Sequence, residues 1–444
     1  MIDILRGKKG SASVFLAMAF VTFAICIAAA IGISRKLVVK SECESFGHVW
    51  TKAILSEYDR NLLTDYSLLA YSGSGTEVIR KLDSYMHYSV SGKLDVRTGS
   101  SGADLTGYEL GDPDNFREAM KKGFGSAAAG TILNGSSRRK RADSSSGADE
   151  DEEAGGSGFG SRTIGNTVVI DTLPSGGVKS TFSVDRLVET ARSIGSSDGI
   201  RSSMINAGLD VVFIEKYFGN YVTSATDKEC WFRSEWEYIV KGSMSDEENM
   251  EACRKRLFLM RNALDLAALY SDETKVEMIT TAAELITPGP AGILTQALIA
   301  EAWAAMEAEE DMKALYDNER VPIIKKTGEW KIGLDSVLSD DSVRDELDEE
   351  SLELMNENSE ELNNIPGISE GMAVIKEGLN YDDHLMIMIL SMNSSTRLLR
   401  IMDLVQINMK FRYYRDFNLM EYFTGVRFAI SANGRDYVFE DSYK

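Results

Sequence analysis

The sequence predicts a helix-rich α+β fold carried on one N-terminal transmembrane helix, and three observations predict it. From Val14 to Ile33 the chain is apolar apart from Thr22, Cys26 and Gly32. About 20 residues at about 1.5 Å each span about 30 Å, the thickness of a bilayer's hydrocarbon core. Between Ser245 and Arg412 apolar residues recur at the spacing of amphipathic helices. Near the C-terminal end Val426, Phe428 and Ile430 alternate with polar or small residues, Asn433-Gly434 supplies the favoured two-residue turn, and Tyr437 and Phe439 alternate on the return, which predicts a β-hairpin.

Taken in order, residues 1–10 form a basic leader with Arg6, Lys8 and Lys9, expected as a cytoplasmic stub, and residues 11–34 form the transmembrane helix. Its membrane-facing side chains are Val14, Phe15, Leu16, Phe20, Val21, Phe23, Ile25, Ile27, Ile31 and Ile33. Ala28-Ala29-Ala30 also fits the cleavage site of a secretory signal peptide. The uncleaved anchor is favoured, because the apolar run continues through Ile31-Gly32-Ile33 and Arg35-Lys36 follows at once. Residues 35–72 are expected to continue outward as a helical stalk on Val49, Ala53, Tyr58, Leu62 and Leu68, with the face around Tyr58 and Leu62 offered to partner helices. Ser72-Gly73-Ser74-Gly75 ends it.

Residues 73–444 then form the α+β domain, on the extracytoplasmic side of a single-pass membrane protein. Tyr88 to Val96 reads as a strand and Asn115 to Lys122 as a helix. A Gly/Ser-rich insert at about 123–162 carries Arg138-Arg139-Lys140-Arg141 and Asp149-Glu150-Asp151-Glu152-Glu153, and is expected to be disordered because it offers too little apolar surface to bury. Thr167 to Thr172 reads as a strand. Ser245 with Glu248 forms a capping box, after which Cys253, Leu257, Met260, Leu264 and Ala267 mark one helical face. A second helix runs from about Glu273 to Ile286, reverses at Pro288-Gly289-Pro290, and returns as a third from about Ala291 to Tyr316. Glu284, Gln296 and Glu301 favour a buried helical hairpin there over a membrane hairpin. Residues 340–361 are strongly acidic, with Arg344 the one base, and read as a solvated helix face or a flexible tether. Helices follow at Asp382 to Met392 and Thr396 to Arg412, and the terminal hairpin needs further strands, expected near Val90 and Val168.

The formal net charge of -21 repels the nucleic-acid backbone and anionic lipid, and no nucleic-acid partner is expected. The three histidines, His48, His87 and His384, include no pair at i, i+4, which excludes a helical zinc pair, and no G-x-S-x-G elbow or Walker loop occurs. Asp112, Asp114 and Asn115 read as turn chemistry, and Leu173-Pro174-Ser175-Gly176-Gly177 as a loop. Glu235 and Glu237 would serve as general acid and base only if buried together, and Trp231, Phe232, Trp236 and Tyr238 read as core. Cys26 and Cys43 are packing residues, whereas Cys230 and Cys253 are a candidate disulfide on an extracytoplasmic domain. The expectation is therefore no enzyme: no catalytic, cofactor-binding or metal-binding residue, no cofactor and no small-molecule substrate.

The basic leader, Gly10, Ser11-Ala12-Ser13 and the apolar helix resemble the pilin-like N-terminus of TadE/TadG-type pseudopilins of tight-adherence (Flp) pili. Five further blocks resemble domain-of-unknown-function family 5702 of clostridia-like Gram-positive bacteria. These are Glu57-Tyr58-Asp59-Arg60 with Asp65-Tyr66 and Leu68-Leu69; Glu237-Tyr238-Ile239 with Gly242; Val321-Pro322-Ile323; Tyr381 with Asp383 and Leu385; and Leu399 through Asn408. The resemblance implies a membrane-anchored extracytoplasmic structural or accessory component of a pilus or secretion apparatus, without enzyme activity. It also implies partners among membrane lipid and other envelope or pilus-assembly proteins, and a candidate processing site between Gly10 and Ser11. Pilins place a glutamate five residues after the processing glycine, and this chain has Phe15 there. The alternative reading is an anchored or secreted surface-binding module for a host or cell-wall ligand.

The anchor has a direct test. Lysines at both Ala19 and Ala24 are expected to cost about 2.5 to 3.5 kcal/mol of insertion each, so the double variant should leave the membrane fraction on cell fractionation.

Overall fold

The apolar run and the first part of the expected stalk form one helix, α1 (Ile4–Leu55), in the computed structural model, which describes residues 4–90, 96–124, 139–140, 172–178, 182–368 and 378–443. No proline falls within its 52 residues, so the helical hydrogen-bond ladder runs unbroken for about 80 Å at about 1.5 Å per residue. The stalk ends sooner than its apolar spacing predicts. Beyond Leu55, Asp59 caps a new helix, α2 (Arg60–Tyr66), its Oδ1 accepting the main-chain N–H groups of Asn61 (2.8 Å) and Leu62 (3.0 Å). Leu62 and Leu68 are fully buried within this chain, so the face around Tyr58 and Leu62 is not presented to partner helices.

The chain divides into two units, the first comprising residues 1–64, 68–115 and 418–444. Its centre is the terminal hairpin. Strands β6 (Gly425–Ala432) and β7 (Arg435–Ser442) pair antiparallel with Phe428 opposite Phe439 and Ala432 opposite Arg435, around a turn in which Asn433 and Gly434 have φ of 52° and 73°. Positive φ at both central residues is the type I′ geometry that matches strand twist. The third strand is β2 (Thr98–Asp104), which pairs Ala103 with Phe428; β1 (Tyr71–Ser72) pairs separately with β5 (Tyr422–Phe423). Residues 88–90 are not strand. They end helix α3 (Gly75–Val90), whose Val78, Leu82, Met86 and Val90 recur every fourth residue on one buried face, while residues 91–95 and the expected strand around Val168 lie outside the described residues.

Val426, Phe428 and Ile430 pack with Trp50, Ile54 and Leu55 of α1 and with the buried face of α3. Contact between α1 and β7 is close at Gly47, where an added Cβ would lie 2.1 to 2.4 Å from the Phe439 ring.

The second unit comprises residues 65–67 and 116–417 and is mainly helical. Helix α4 (Pro113–Phe124) begins where Asp112 Oδ1 accepts from Asp114 and Asn115 N–H, confirming turn chemistry there. It takes in Gly123 and Phe124 of the expected insert. Arg139–Lys140, from the basic tetrad, form β3 against β4 (Thr223–Ser224); the rest of the insert, and the expected strand from Thr167 to residue 171, lie outside the described residues. Short helices α5 (Val184–Ile194), α6 (Ser197–Ala207), α7 (Leu209–Tyr217) and α8 (Glu235–Lys241) lead to three long ones: α9 (Asp246–Ser271), α10 (Glu273–Ile286) and α11 (Gly292–Tyr316). Ser245 caps α9 by accepting from Glu248 N–H, as the sequence predicts, and α10 and α11 form the expected hairpin around Gly289 at φ 88°. Ile279, Ala282, Ile286, Ile299, Ala300 and Trp303 lie in its core, which is the protein interior and not a bilayer.

The acidic segment is neither a tether nor a single face. It folds as α13 (Asp341–Asp345), α14 (Glu349–Glu357) and α15 (Ser359–Asn363), following α12 (Leu334–Leu338), with Asp340 and Asp348 capping α13 and α14. Val343, Met355 and Leu362 pin the segment into the same core as Trp303 and Trp330. Helices α16 (Tyr381–Ser391) and α17 (Ser394–Arg412) complete the unit.

Gly47→Leu is expected to destabilise the first unit by about 1 to 3 kcal/mol through overpacking. Gly32→Leu, where nothing lies within 4 Å of an added Cβ, is the matched control. Urea unfolding should show a lower midpoint for the first variant alone.

Candidate functional site

All ten sequence-predicted anchor residues lie on α1, and their side chains are 44 to 75% exposed. A helix apolar on every side belongs in a protein core or a bilayer, and here no core covers it. Thr22 Oγ1 donates back to the carbonyls of Met18 (3.0 Å) and Ala19 (2.9 Å), which satisfies its hydroxyl without water. Helix α1 is thus long and apolar enough to cross a membrane. Gly10 and Ser11, the candidate processing pair, lie inside it.

Charge is concentrated instead in the interior of the second unit. Arg261 and Asp265, one turn apart on α9, face Glu307 and Asp311, one turn apart on α11, and Lys325 completes the group; all five are buried. The Arg261 guanidinium donates to Asp311 (Nη2, 2.6 Å), Asp265 (3.1 Å) and the Pro322 carbonyl (2.8 Å). Lys325 Nζ reaches Glu307 (2.5 Å) and Asp311 (2.8 Å), and Glu307 also accepts the main-chain N–H groups of Lys331 and Ile332. Three carboxyls against two cations leave one in excess. Burial raises Asp265 to about 7, whereas at Asp311 Arg261 and Lys325 outweigh burial and hold the carboxyl low. His384, also buried, is pushed down to about 4, by burial first and then by Arg261.

A second buried network joins α8 to α16 and α17. Glu235 accepts from Gly219 N–H (2.7 Å) and Asn408 Nδ2 (2.7 Å), and Glu237 from Tyr221 N–H (3.1 Å) and the Tyr381 hydroxyl (2.8 Å). Burial raises Glu237 to about 7 against the lowering effect of those donors. Asp403 accepts from the Tyr238 hydroxyl and from Ser175 N–H, both at 2.9 Å, which ties down the loop at Leu173 to Gly177. Arg400 donates to the carbonyls of Ile239 (2.6 Å) and Val178 (2.9 Å). Gly242, at φ 81°, lets this guanidinium approach, since an added Cβ would lie 2.8 Å from it. Glu235 and Glu237 are therefore buried together; both Glu235 oxygens and Glu237 Oε1 are committed to groups that hold the fold, while Glu237 Oε2 is buried without a hydrogen-bond partner among the described residues. Trp236, Phe232 and Tyr238 are core, as predicted, whereas Trp231 is only half-buried.

Cys230 and Cys253 are not bonded to each other. The Cys253 thiol faces the Glu237 carbonyl at 3.9 Å and is raised by burial, while Cys230 Sγ lies 2.9 Å from Arg412 Nη2, so different neighbours hold each. Among the described residues, no group of three or more His, Cys, Asp or Glu side chains is arranged to hold a metal ion.

Residues 166–434, more than half of the chain, match the family of unknown function DUF5702. The chain belongs to the DUF5702 family. No curated protein and no solved structure matches it. Four of the five blocks that resembled DUF5702 in the sequence land on the two buried networks: Glu237 and Tyr238 meet Tyr381 and Asp403, Gly242 seats Arg400, Asn408 meets Glu235, and Pro322 receives Arg261; the block from Glu57 to Leu69 lies outside the matched residues. What those DUF5702 positions encode is the packing of α8, α9, α16 and α17. Nothing in the sequence marks Asp265, Glu307 and Asp311 as a site beyond the four-residue spacings of Arg261 to Asp265 and of Glu307 to Asp311.

The buried carboxyls set a pH dependence. Glu237 moves from 4.5 to about 7 on folding and Asp265 from 3.8 to about 7. In that window the folded chain holds protons that the unfolded chain has released, so their contribution is complete at low pH and lost as pH rises through about 7. His384, lowered from 6.5 to about 4, acts oppositely and loses its contribution as pH falls through about 4. Urea titrations of wild type and Glu237→Gln at pH 5, 6.5 and 8 should show the wild type's advantage shrinking by roughly 2 kcal/mol between the extremes.

Proposed function

We propose that this DUF5702 protein is a single-pass, membrane-anchored structural or accessory component of the cell envelope, with the bulk of the chain extracytoplasmic. We further propose that it is pseudopilin-like and associated with a tight-adherence pilus or a related secretion apparatus. The observation that carries the reading is α1, whose apolar, uncovered segment from Val14 to Ile33 continues without a break into the core of the first unit at Trp50 and Ile54. A helix that is lipid-facing at one end and core at the other anchors a folded body directly, with no linker between. The pilin-like residues around Gly10 support the apparatus, and Phe15 argues for an accessory role over that of a polymerising subunit. The commitment of both Glu235 oxygens and of Glu237 Oε1 to main-chain, amide and tyrosine donors supports a non-enzymatic role.

Protease added to intact cells is expected to degrade residues beyond α1, and mass spectrometry of the membrane-extracted chain should find Met1 at its N-terminus. A start at Ile31, or full protection of the body, would reject the anchored extracytoplasmic reading. For the apparatus, cross-linking in cells should capture other tight-adherence components, and their absence among the captured proteins would reject the association alone.

A further inference from the structure

The acidic total of the chain reverses locally where α1 leaves its apolar segment. A groove of about 830 Å³ lies between α1 and the tip of the β6–β7 hairpin, within the first unit. At one end it is lined by Ile27 and Ile31, and at the other by Lys36, Val38, Asn433 and Arg435, so it grades from apolar to cationic.

Its depth follows from the packing. Phe439 rests on Gly47, and Arg435 lies four strand residues nearer the tip, about 13 Å at about 3.3 Å each. On α1 the same distance is about nine residues at about 1.5 Å, which brings the tip level with Val38, about 7 Å beyond Ile33. The polar headgroup layer occupies about 5 to 7 Å on each side of the hydrocarbon core. Hydrophobic length and hairpin register thus put the cationic end of the groove at headgroup depth when Val14 to Ile33 span a bilayer.

Arg35 and Lys36 face this layer from α1, and Arg435 from the tip. The backbone of Arg97 lies beside the tip, its main-chain N–H donating to Asn433 Oδ1 at 2.8 Å. Among the described residues of the tip and this turn of α1, the opposing carboxylate is Asp436. A surplus of cations at the headgroup plane, in a chain of net charge -21, is a local field that attracts anionic lipid even though the whole chain repels it.

We propose that this groove binds an anionic phospholipid, its phosphate held by Lys36 and Arg435 and an acyl chain lying along Ile27 and Ile31. The inference rests on α1 spanning a membrane and adds selection among lipids to anchoring.

Native mass spectrometry of the full-length, detergent-solubilised chain, titrated with phosphatidylglycerol and with phosphatidylcholine of identical acyl chains, tests it. Retention of phosphatidylglycerol in preference to phosphatidylcholine is expected, with affinity about fivefold weaker for each cation removed in Lys36→Gln and Arg435→Gln. Arg427→Gln, whose exposed side chain pairs with Glu440 at 3.9 Å, should leave it unchanged. Equal retention of the two lipids, or unchanged affinity in the double variant, would overturn the proposal. Displacement by millimolar inorganic phosphate would identify a free-anion site and overturn it too. Cell fractionation of the same variants separates the two readings: variants that stay in the membrane but lose lipid preference support the groove, and a wild-type chain found outside the membrane overturns the anchor and the groove with it.

Discussion

One uninterrupted helix governs the first unit. The backbone ladder of α1 passes from its fully apolar segment into the core with no proline and no capping residue between, so Ile33 and Trp50 are joined by about 25 Å of continuous helix. Such a helix has no soft joint, and the azimuth at which its apolar segment emerges is fixed by how its far end packs. Gly47 sets that packing. The absent side chain admits the Phe439 ring against the helix backbone, and the terminal hairpin is clamped along α1 by that contact together with Trp50, Ile54 and Leu55.

The second unit solves a different problem. Five charged side chains between α9 and α11 are removed from water, at a desolvation cost of several kcal/mol per ion, and are offset by ion pairs and by main-chain donors and acceptors at Pro322, Lys331 and Ile332. An apolar interface between two long helices tolerates sliding by a turn. This one does not, because a slide would pull both Asp311 and Glu307 on α11 away from Arg261 and Lys325 and leave buried charges short of partners. The charges therefore define the register of α9 against α11 and hold the segment from Val321 to Ile332 onto it.

Much of this was legible in the residues, and the failures are instructive. The cap at Ser245, the Pro288-Gly289-Pro290 reversal and the Asn433-Gly434 turn each place a specific chemical demand on the backbone, and each structure appeared where it was read. Strand β2 was invisible because Thr98-Gly-Ser-Ser-Gly-Ala-Asp104 has no side chains large enough to show alternation and buries none of them; pairing with β6 and contact with α3 hold it in place. The expected stalk is too long because Leu62 and Leu68 continue an apolar spacing by coincidence, whereas α1 ends at Leu55 and Asp59 caps a separate helix. The buried ionic group defeats a reading that assigns charges to solvent, and a paired four-residue spacing on two adjoining helices was its one trace. Cys230 and Cys253 show the limit of arguing connectivity from order along a chain.

The tryptophans are distributed unevenly, and this gives the two units distinct optical identities. Trp50 is the first unit's one indole, whereas Trp231, Trp236, Trp303 and Trp330 all belong to the second. There, Trp303 and Trp330 meet edge to face at 5.5 Å with the Lys275 ammonium 4.0 and 4.3 Å from their ring centroids, a fixed charge beside a coupled chromophore pair. Emission from the intact chain is therefore dominated by the helical unit, and a Trp50→Phe background would isolate that signal completely. The difference between the two spectra reports the state of the first unit's sheet, so that melting of each unit is visible by fluorescence alone.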